Sequence, residues 1–378
     1  MKSSFLKFFL TLLTLIFILI VYLSTMGIET DKFNSQIKKR IIQTNKNLEL
    51  DLKKIKLTID PFNFKINAKT VGATIFFSKR PLSLEYIKSE VSLVSLLKNK
   101  IISSSLEIVT RSILVSDLLK FIRVTNNKPE LFLLEKTLKK GHIILDLRLN
   151  FDEDGNIKND YQIKGLIKDT NIKFLNKSKF KNINLNFNIK ENNYLLSGIK
   201  FKSEKINFIS KKINIIKKKN IFFINGTLKN NQSNLNKNVL KLLNINFKKV
   251  NLDDVKFSSS NKFSFKIDNK FNFKDVVFDS DIIINQFKYK NPDIIKNYFS
   301  EKNDLIIFTN HKLNLNYKNK SFLINGEGEV QLETQKDKIK YLISKEGDDF
   351  TVNSELILKN INLKGEKLLK IYFPKIND

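Results

Sequence analysis

In this chain of 378 residues the side chains able to do catalysis or hold a metal are few, and their spacing argues against both. There are no cysteines and only two histidines, His142 and His311, so neither a thiolate site nor a usual zinc set can be assembled. His142 falls on the polar side of the run Ile143 to Leu149. His311 shares phase with Leu313 and Leu315, which predicts a structural place on an apolar face. Asp152-Glu153-Asp154-Gly155-Asn156 resembles the start of a calcium loop, but its glycine stands fourth where an EF-hand needs it sixth, and Ile163 occupies the position of the closing glutamate. The Asp-Gly pair between two apolar runs reads as a hairpin turn instead. Gly326-Glu327-Gly328 lacks the third glycine and the following helix of a dinucleotide fingerprint. No Ser/His/Asp set or carboxylate pair stands out, so the expectation is a protein that is not an enzyme, with no catalytic residue, no metal and no cofactor.

The formal charge of +29 invites a nucleic-acid reading. The lysines, however, are spread along the whole chain among asparagines and isoleucines, as in the products of AT-rich genomes, and form no patch. No nucleic-acid partner is expected. The same charge attracts anionic lipid headgroups within a Debye length, which makes a membrane surface the more natural acidic partner.

The chemistry that remains is that of hydrocarbon. Phe8 to Met26 (FFLTLLTLIFILIVYLSTM) carries no charge and is close to the ~20 apolar residues that cross a bilayer core. Phe8, Leu12, Leu15, Ile18 and Tyr22 are its anchoring side chains. A secretory signal has a shorter apolar region and a small-x-small cleavage site. The exit here, Ser24-Thr25-Met26-Gly27, favours a retained anchor. Lys2 and Lys7 precede the span and Glu29 and Asp31 follow it, so residues 1–7 are expected to stay cytoplasmic while the rest crosses. Lys38-Lys39-Arg40 pulls the other way, but long domains translocate largely regardless of charge.

Beyond the span, Phe33, Ile37 and Ile41 recur four apart in Thr30–Asn45, predicting an amphipathic helix with Thr30 as N-cap, packed on the following domain or lying at the membrane surface. The period then becomes two. Leu48, Leu50 and Leu52, then Ile55, Leu57 and Ile59, alternate with polar residues, and Asp60-Pro61 marks a turn before Phe62, Phe64 and Ile66. Val71–Phe77 and Leu82–Val91 read as further strands, Ser92–Lys98 as a helical turn, Ile101–Val115 as strand and Asp117–Val124 as helix. Pro129–Lys140 has the end signals of a helix, with Gly141 as its stop.

From His142 onward strand follows strand. Asn182–Ile189 (NINLNFNI) puts Ile183, Leu185, Phe187 and Ile189 on one side and asparagines on the other, and Phe263–Ile267 and Leu313–Tyr317 repeat the scheme. Ile224-Asn225-Gly226 and Ile324-Asn325-Gly326 share a local motif. Helical interruptions are expected at Asn234–Leu243 and Pro292–Ser300, hinting at a loose repeat. A sheet with one apolar face must cover it, by a second sheet, by closure or by a ligand. The long strand series without a helical layer, and 32 phenylalanines with no tryptophan, favour an open form. The predicted fold is therefore mainly β: an N-terminal transmembrane helix, then an elongated, curved antiparallel β-sheet (a β-groove) with a few short helices. Its candidate lipid-lining residues are Leu50, Phe64, Ile183, Leu185, Phe187, Ile189, Phe265 and Leu315. Their alternative place is a closed core.

The anchor, the amphipathic helix, LELDLKKIKLTIDPFNFKI, SLVSLLKNKIISSSLEI and the asparagine-rich strands together resemble AsmA-like proteins, the group with TamB and YhdP in the repeating β-groove, bridge-like lipid-transfer superfamily. The likeness lies in pattern and order, and the chain is short for that family. It implies a Gram-negative inner-membrane protein with residues 8–26 as anchor, 27–140 as the start of a periplasmic groove and 141–378 as its continuation. Its partners would be phospholipids of the two membranes, and its role lipid transport or outer-membrane maintenance. A second class of function is a structural or assembly factor for the outer membrane, binding outer-membrane or periplasmic proteins along an exposed strand edge. An anchored enzyme is a third.

Overall fold

The computed structural model describes residues 2–44, 47–94, 103–125, 132, 135–152, 154, 156–174, 178–234, 250–251, 255–270, 272–290, 304–318, 321–332, 334–347 and 349–357. The predicted class holds: the fold is mainly β, antiparallel and open, behind an N-terminal apolar helix.

Helix α1 (Lys2–Thr25) contains a span, Phe5–Thr25, of 21 residues that is long and apolar enough to cross a membrane. Four of its hydroxyls are turned inward. Thr11, Thr14, Ser24 and Thr25 donate to the carbonyls of Lys7, Leu10, Ile20 and Val21 at 2.9, 2.9, 2.7 and 2.8 Å, so these donors need no partner outside the helix. The helix ends at Gly27, whose φ of 67° suits glycine and whose amide reaches back to the Tyr22 carbonyl at 3.2 Å.

The chain then enters β1 (Ile28–Thr30), which pairs with Ile55–Leu57. That pairing overturns Thr30 as a helix cap: its backbone is extended, its hydroxyl accepts from the Lys32 amide at 3.2 Å, and α2 (Asn34–Thr44) starts later. Ile37 and Ile41 pack on the core of the domain, whereas Phe33 precedes the helix and is exposed. Strands β2 (Leu48–Asp51), β3 (Ile55–Asp60), β4 (Lys65–Val71), β5 (Thr74–Phe77) and β6 (Arg80–Ser92) follow. The expected strand Val71–Phe77 is broken at Gly72-Ala73, because β6 hydrogen-bonds β5 with one end and β4 with the other. Phe62 and Phe64 do not continue the alternation. They lie in the turn between β3 and β4, where the Asp60 carboxylate accepts from the Asn63 amide at 3.0 Å and its side chain at 2.8 Å, and Phe64 has φ 51°.

Strands β7 (Ser103–Thr110) and β8 (Ile113–Leu114) lead to α3 (Val115–Thr125), as expected for 117–124, and then to β9 (Leu138–Asn150). Of the predicted helix Pro129–Lys140, the described residues Phe132 and 135–137 are helical, but its end is corrected. Leu138, Lys139 and Lys140 already belong to β9, and Gly141 is a strand residue. The helical turn Ser92–Lys98 and the interruptions Asn234–Leu243 and Pro292–Ser300 lie mostly or wholly outside the described residues. The remaining strands are β10 (Gln162–Phe174), β11 (Ser178–Lys190), β12 (Asn193–Ser203), β13 (Ile206–Lys218), β14 (Ile221–Asn234), β15 (Val250–Asn251), β16 (Lys256–Asp268), β17 (Phe273–Lys290), β18 (Leu305–Lys318), β19 (Ser321–Gln331), β20 (Lys336–Glu346) and β21 (Asp349–Ile357).

The chain forms two compact units, one of residues 1–177 and 181–196 and one of residues 178–180 and 197–378. In the first, the ladder runs β1, β3, β4, β6, β7, β9, β10, every pair antiparallel. Helix α3 lies over its apolar face, burying Val115, Leu118 and Leu119 against Leu82, Leu84 and Ile143, with Phe121 edge-on to Phe77 at 6.0 Å. At ~1.5–3 kcal/mol per fully buried side chain, this closed cluster is what holds the unit together.

In the second unit the ladder runs β13, β14, β16, β17, β18, β19, β20, β21, again antiparallel throughout. The Ile-Asn-Gly motifs mark a repeated hairpin. Ile213 faces Gly226, Asn214 faces Asn225 and Ile215 faces Ile224 across β13–β14. Across β18–β19, Leu313 faces Gly326, Asn314 faces Asn325 and Leu315 faces Ile324. Extra residues inserted between Ile209 and Ile213, between Asn230 and Ser233, and between Thr309 and Lys312 shift the register and kink these strands.

Candidate functional site

One face of the second unit is a strip of hydrocarbon carried from strand to strand. Cross-strand pairing aligns Ile215 with Ile224, Ile224 with Phe265, Phe263 with Phe278, Phe278 with Tyr317, Tyr317 with Phe322, Leu315 with Ile324 and Ile324 with Ile343. The aromatic rings run together: Phe265 lies 5.8 Å from Phe263 and 5.4 Å from Phe273, and Phe287 stacks on Phe308 at 4.5 Å. Nearly all these side chains are only half-buried. A buried cluster forms locally, where Ile306, Val330 and Leu332 gather Tyr289, Phe308 and Ile339 around them. No described helix belongs to this unit, so among the described residues nothing corresponds to the layer that α3 supplies in the first. Among the described residues the face is contiguous, apolar and without a cover, the kind of surface on which proteins meet partners or ligands.

Two polar features are set into the strip. The first is a chain of side chains crossing β14, β16 and β17. The Ser280 hydroxyl donates to Asn261 Oδ1 at 2.6 Å, Asn261 Nδ2 donates to the Leu228 carbonyl at 2.8 Å and to Ser259 Oγ at 2.9 Å, and Ser259 donates to Asn230. All of these polar groups find partners, so they cost little despite their burial.

The second is His311, fully buried against Phe287, Phe308 and Tyr341, with its ring over Gly328. Its Nε2 is 3.1 Å from the Glu329 carbonyl, which can only accept, so Nε2 carries the proton; Nδ1 then accepts from the Tyr341 hydroxyl at 3.1 Å. Burial holds the imidazole below its usual pKa and pushes the Tyr341 hydroxyl up to about 12. A histidine kept neutral in the fold contributes stability that is complete above its unfolded pKa of about 6.5 and is lost as pH falls below it, because the unfolded chain then binds the proton more tightly. The melting temperature is therefore expected to drop between pH 7.5 and pH 5.5, and the drop should shrink in His311→Phe. Equal slopes in the two proteins would refute this assignment.

The sequence-predicted lining residues separate into three groups. Phe265 and Leu315 lie half-buried on the uncovered strip. Leu50 and Phe187 are buried in the closed cluster of the first unit, Leu185 and Ile189 pack against it, and Ile183 is buried on the same strand. Leu50, Leu185, Phe187 and Ile189 therefore occupy the closed-core place, and Ile183 is buried without belonging to that cluster. Phe64 sits in the β3–β4 turn, 64% exposed. The anchor residues Phe8, Leu12, Leu15, Ile18 and Tyr22 are all exposed along α1. The calcium-like segment is a turn: the Asp152 carboxylate accepts from the amides of Asp154 and Asn156 at 3.0 and 2.8 Å, between the bridged Phe151 and Ile157. Gly326-Glu327-Gly328 is plain strand, its glycines lying under the rings of Tyr341 and His311.

Two features escaped the sequence reading. The polar chain was visible in principle, since Ser259 and Asn261 share phase with Phe263 and Phe265. The apolar turn was hidden because Phe62 and Phe64 mimic a strand. Compared with known protein families, curated proteins and solved structures, the chain matches none.

Proposed function

We propose that this protein is a membrane-anchored lipid-binding protein. The uncovered strip of the second unit takes phospholipid acyl chains, α1 holds the protein in the inner membrane of a Gram-negative bacterium, and the bulk of the chain stands in the periplasm, serving lipid movement between the two membranes. The observation that carries this reading is the half-exposed hydrocarbon face running from β13 to β20, on a chain that begins with a membrane-length helix. A face of branched and aromatic side chains interrupted by satisfied polar groups binds hydrocarbon without holding any one chain tightly, as a conduit requires. The resemblance to AsmA-like proteins agrees with it in the order of elements, and binding in place of catalysis agrees with the scarcity of chemical groups.

The test is photocrosslinking in the full-length chain, with a photoreactive phenylalanine analogue at Phe265 or Leu315 and, as control, at Asn316, which points to the other side of β18. Phospholipid adducts at the first two positions and not at the third are expected. Protein adducts in place of lipid would favour the rival role of an assembly factor working through protein partners.

A further inference from the structure

The turn between β3 and β4 faces the membrane-length helix. A cavity of about 480 Å³ is walled by Phe17, Val21 and Thr25 of α1 on one side and by Asp60, Pro61 and Phe62 at the end of β3 and in the turn on the other. At 1.5 Å per residue Phe17 lies ~12 Å along the axis from Thr25. The span Phe5–Thr25 has 21 residues, which at that rise is ~31 Å, about the thickness of the hydrocarbon core. No turn of α1 can be spared to keep Phe17 outside the bilayer, so a residue beside Phe17 lies below the headgroups.

The turn is suited to that place. Phe62 is 92% and Phe64 64% exposed, and the Leu93 amide, bonded to the Phe64 carbonyl at 2.8 Å, brings the exposed Val94 alongside. Within the turn, the Asp60 carboxylate accepts from both the backbone amide and the side-chain amide of Asn63, so its charge is met locally by two donors. A second cavity, of about 720 Å³, opens on the same two strands and shares Thr58 and Asn67 with the first. Its lining includes Lys53, Lys54, Lys56, Lys69 and Lys88, with Glu29 as its one carboxylate. Lys88 is paired with Glu90 at 2.9 Å and Lys69 lies over the Tyr86 ring at 4.3 Å, so Lys53, Lys54 and Lys56 are the lysines left to meet an incoming anion. Apolar tip and basic cavity together match the cross-section of one leaflet, hydrocarbon below phosphate.

We propose that the β3–β4 hairpin is a second membrane-inserted element. Its Phe62 and Phe64 enter the leaflet from which α1 emerges, and Lys53, Lys54 and Lys56 hold the phosphate of an anionic phospholipid. This rests on α1 crossing the bilayer and not on the lipid-binding strip.

The chain has no cysteine, so single cysteines can be placed in the full-length protein, labelled with an environment-sensitive fluorophore and reconstituted in nanodiscs of phosphatidylcholine and phosphatidylglycerol with brominated acyl chains. Phe62→Cys is expected to be quenched by bromine about as strongly as Leu12→Cys in the anchor, and shielded from aqueous iodide. Quenching at Leu12→Cys alone would overturn the inserted hairpin and leave the anchor standing. Quenching at neither would remove the anchor on which the hairpin depends. In the second arm, K53E/K54E/K56E is expected to lower several-fold the phosphatidylglycerol retained through detergent extraction, relative to phosphatidylcholine, with the hairpin label still quenched. Unchanged retention, or displacement of the lipid by millimolar inorganic phosphate, would overturn the phospholipid assignment.

Discussion

Leu315→Glu should abolish lipid crosslinking at Phe265 while the protein stays folded. Leu315 is half-buried on β18, opposite Ser280 of β17 and Ile324 of β19, in the middle of the uncovered strip. In the lipid-free protein the new carboxylate can keep its water, so the fold should lose about 1 kcal/mol or less, the scale of surface substitutions. With an acyl chain over it the carboxylate must be desolvated or the lipid displaced. Leaving a polar group in hydrocarbon without a partner costs roughly 2–7 kcal/mol, a loss of about tenfold at the least in occupancy. Crosslink yield and thermal unfolding are to be measured on the same preparations. If Leu315→Glu unfolds the protein, the strip is a closed core and the lipid reading fails. Leu84, with 0% exposure in the first unit, is the calibrating position: Leu84→Glu should unfold its unit.

The largest loss of stability from a single methyl group should come at Gly141. Its φ of 125° is one that side chains rarely adopt, and a Cβ there would lie 2.0 Å from Thr170 Oγ1 and 2.7 Å from Thr170 Cα. Thr170 sits where β10 gains one extra residue between Lys168 and Asn171, so the facing strand cannot back away without undoing the bulge. Backbone strain and overpacking, each ~1–3 kcal/mol, add here to roughly 3 kcal/mol, a fall in Tm of about 6–12 °C for a unit of this size. Gly347 supplies the contrast. Its φ is +60° with nothing within 4 Å, so Gly347→Ala bears strain alone, about 1 kcal/mol. Equal melting temperatures for the two variants would show that the close approach of β9 and β10 is not the reason for glycine at 141.

The same position shows how local signals mislead. Lysines followed by glycine after a run of leucines carry the marks of a helix end, and Gly141 answers those marks as well as it answers the needs of a crowded strand. Thr30 and Phe64 are similar cases. Thr30 has the chemistry of a helix cap but is drawn into a ladder with Ile55, a partner far along the chain. Phe64 has the phase of a strand, but the Asp60–Asn63 hydrogen bonds close a turn before the strand begins.

What local periodicity settles is the side of a strand on which each residue lies. Asn182–Ile189, Phe263–Ile267 and Leu313–Tyr317 alternate with a period that only a pleated strand can sort into two faces, so the mainly β fold follows from them. The uninterrupted apolar length of Phe5–Thr25 likewise suffices for a membrane-length helix. Neither says what lies over an apolar face. Phe187 and Phe265 have the same alternating neighbours, yet one is buried in a closed cluster and the other is half-buried on a strip that no described helix covers. Burial depends on which distant element packs across the face, as α3 does in the first unit, and that is decided by long-range pairing and packing that no window of a few residues contains.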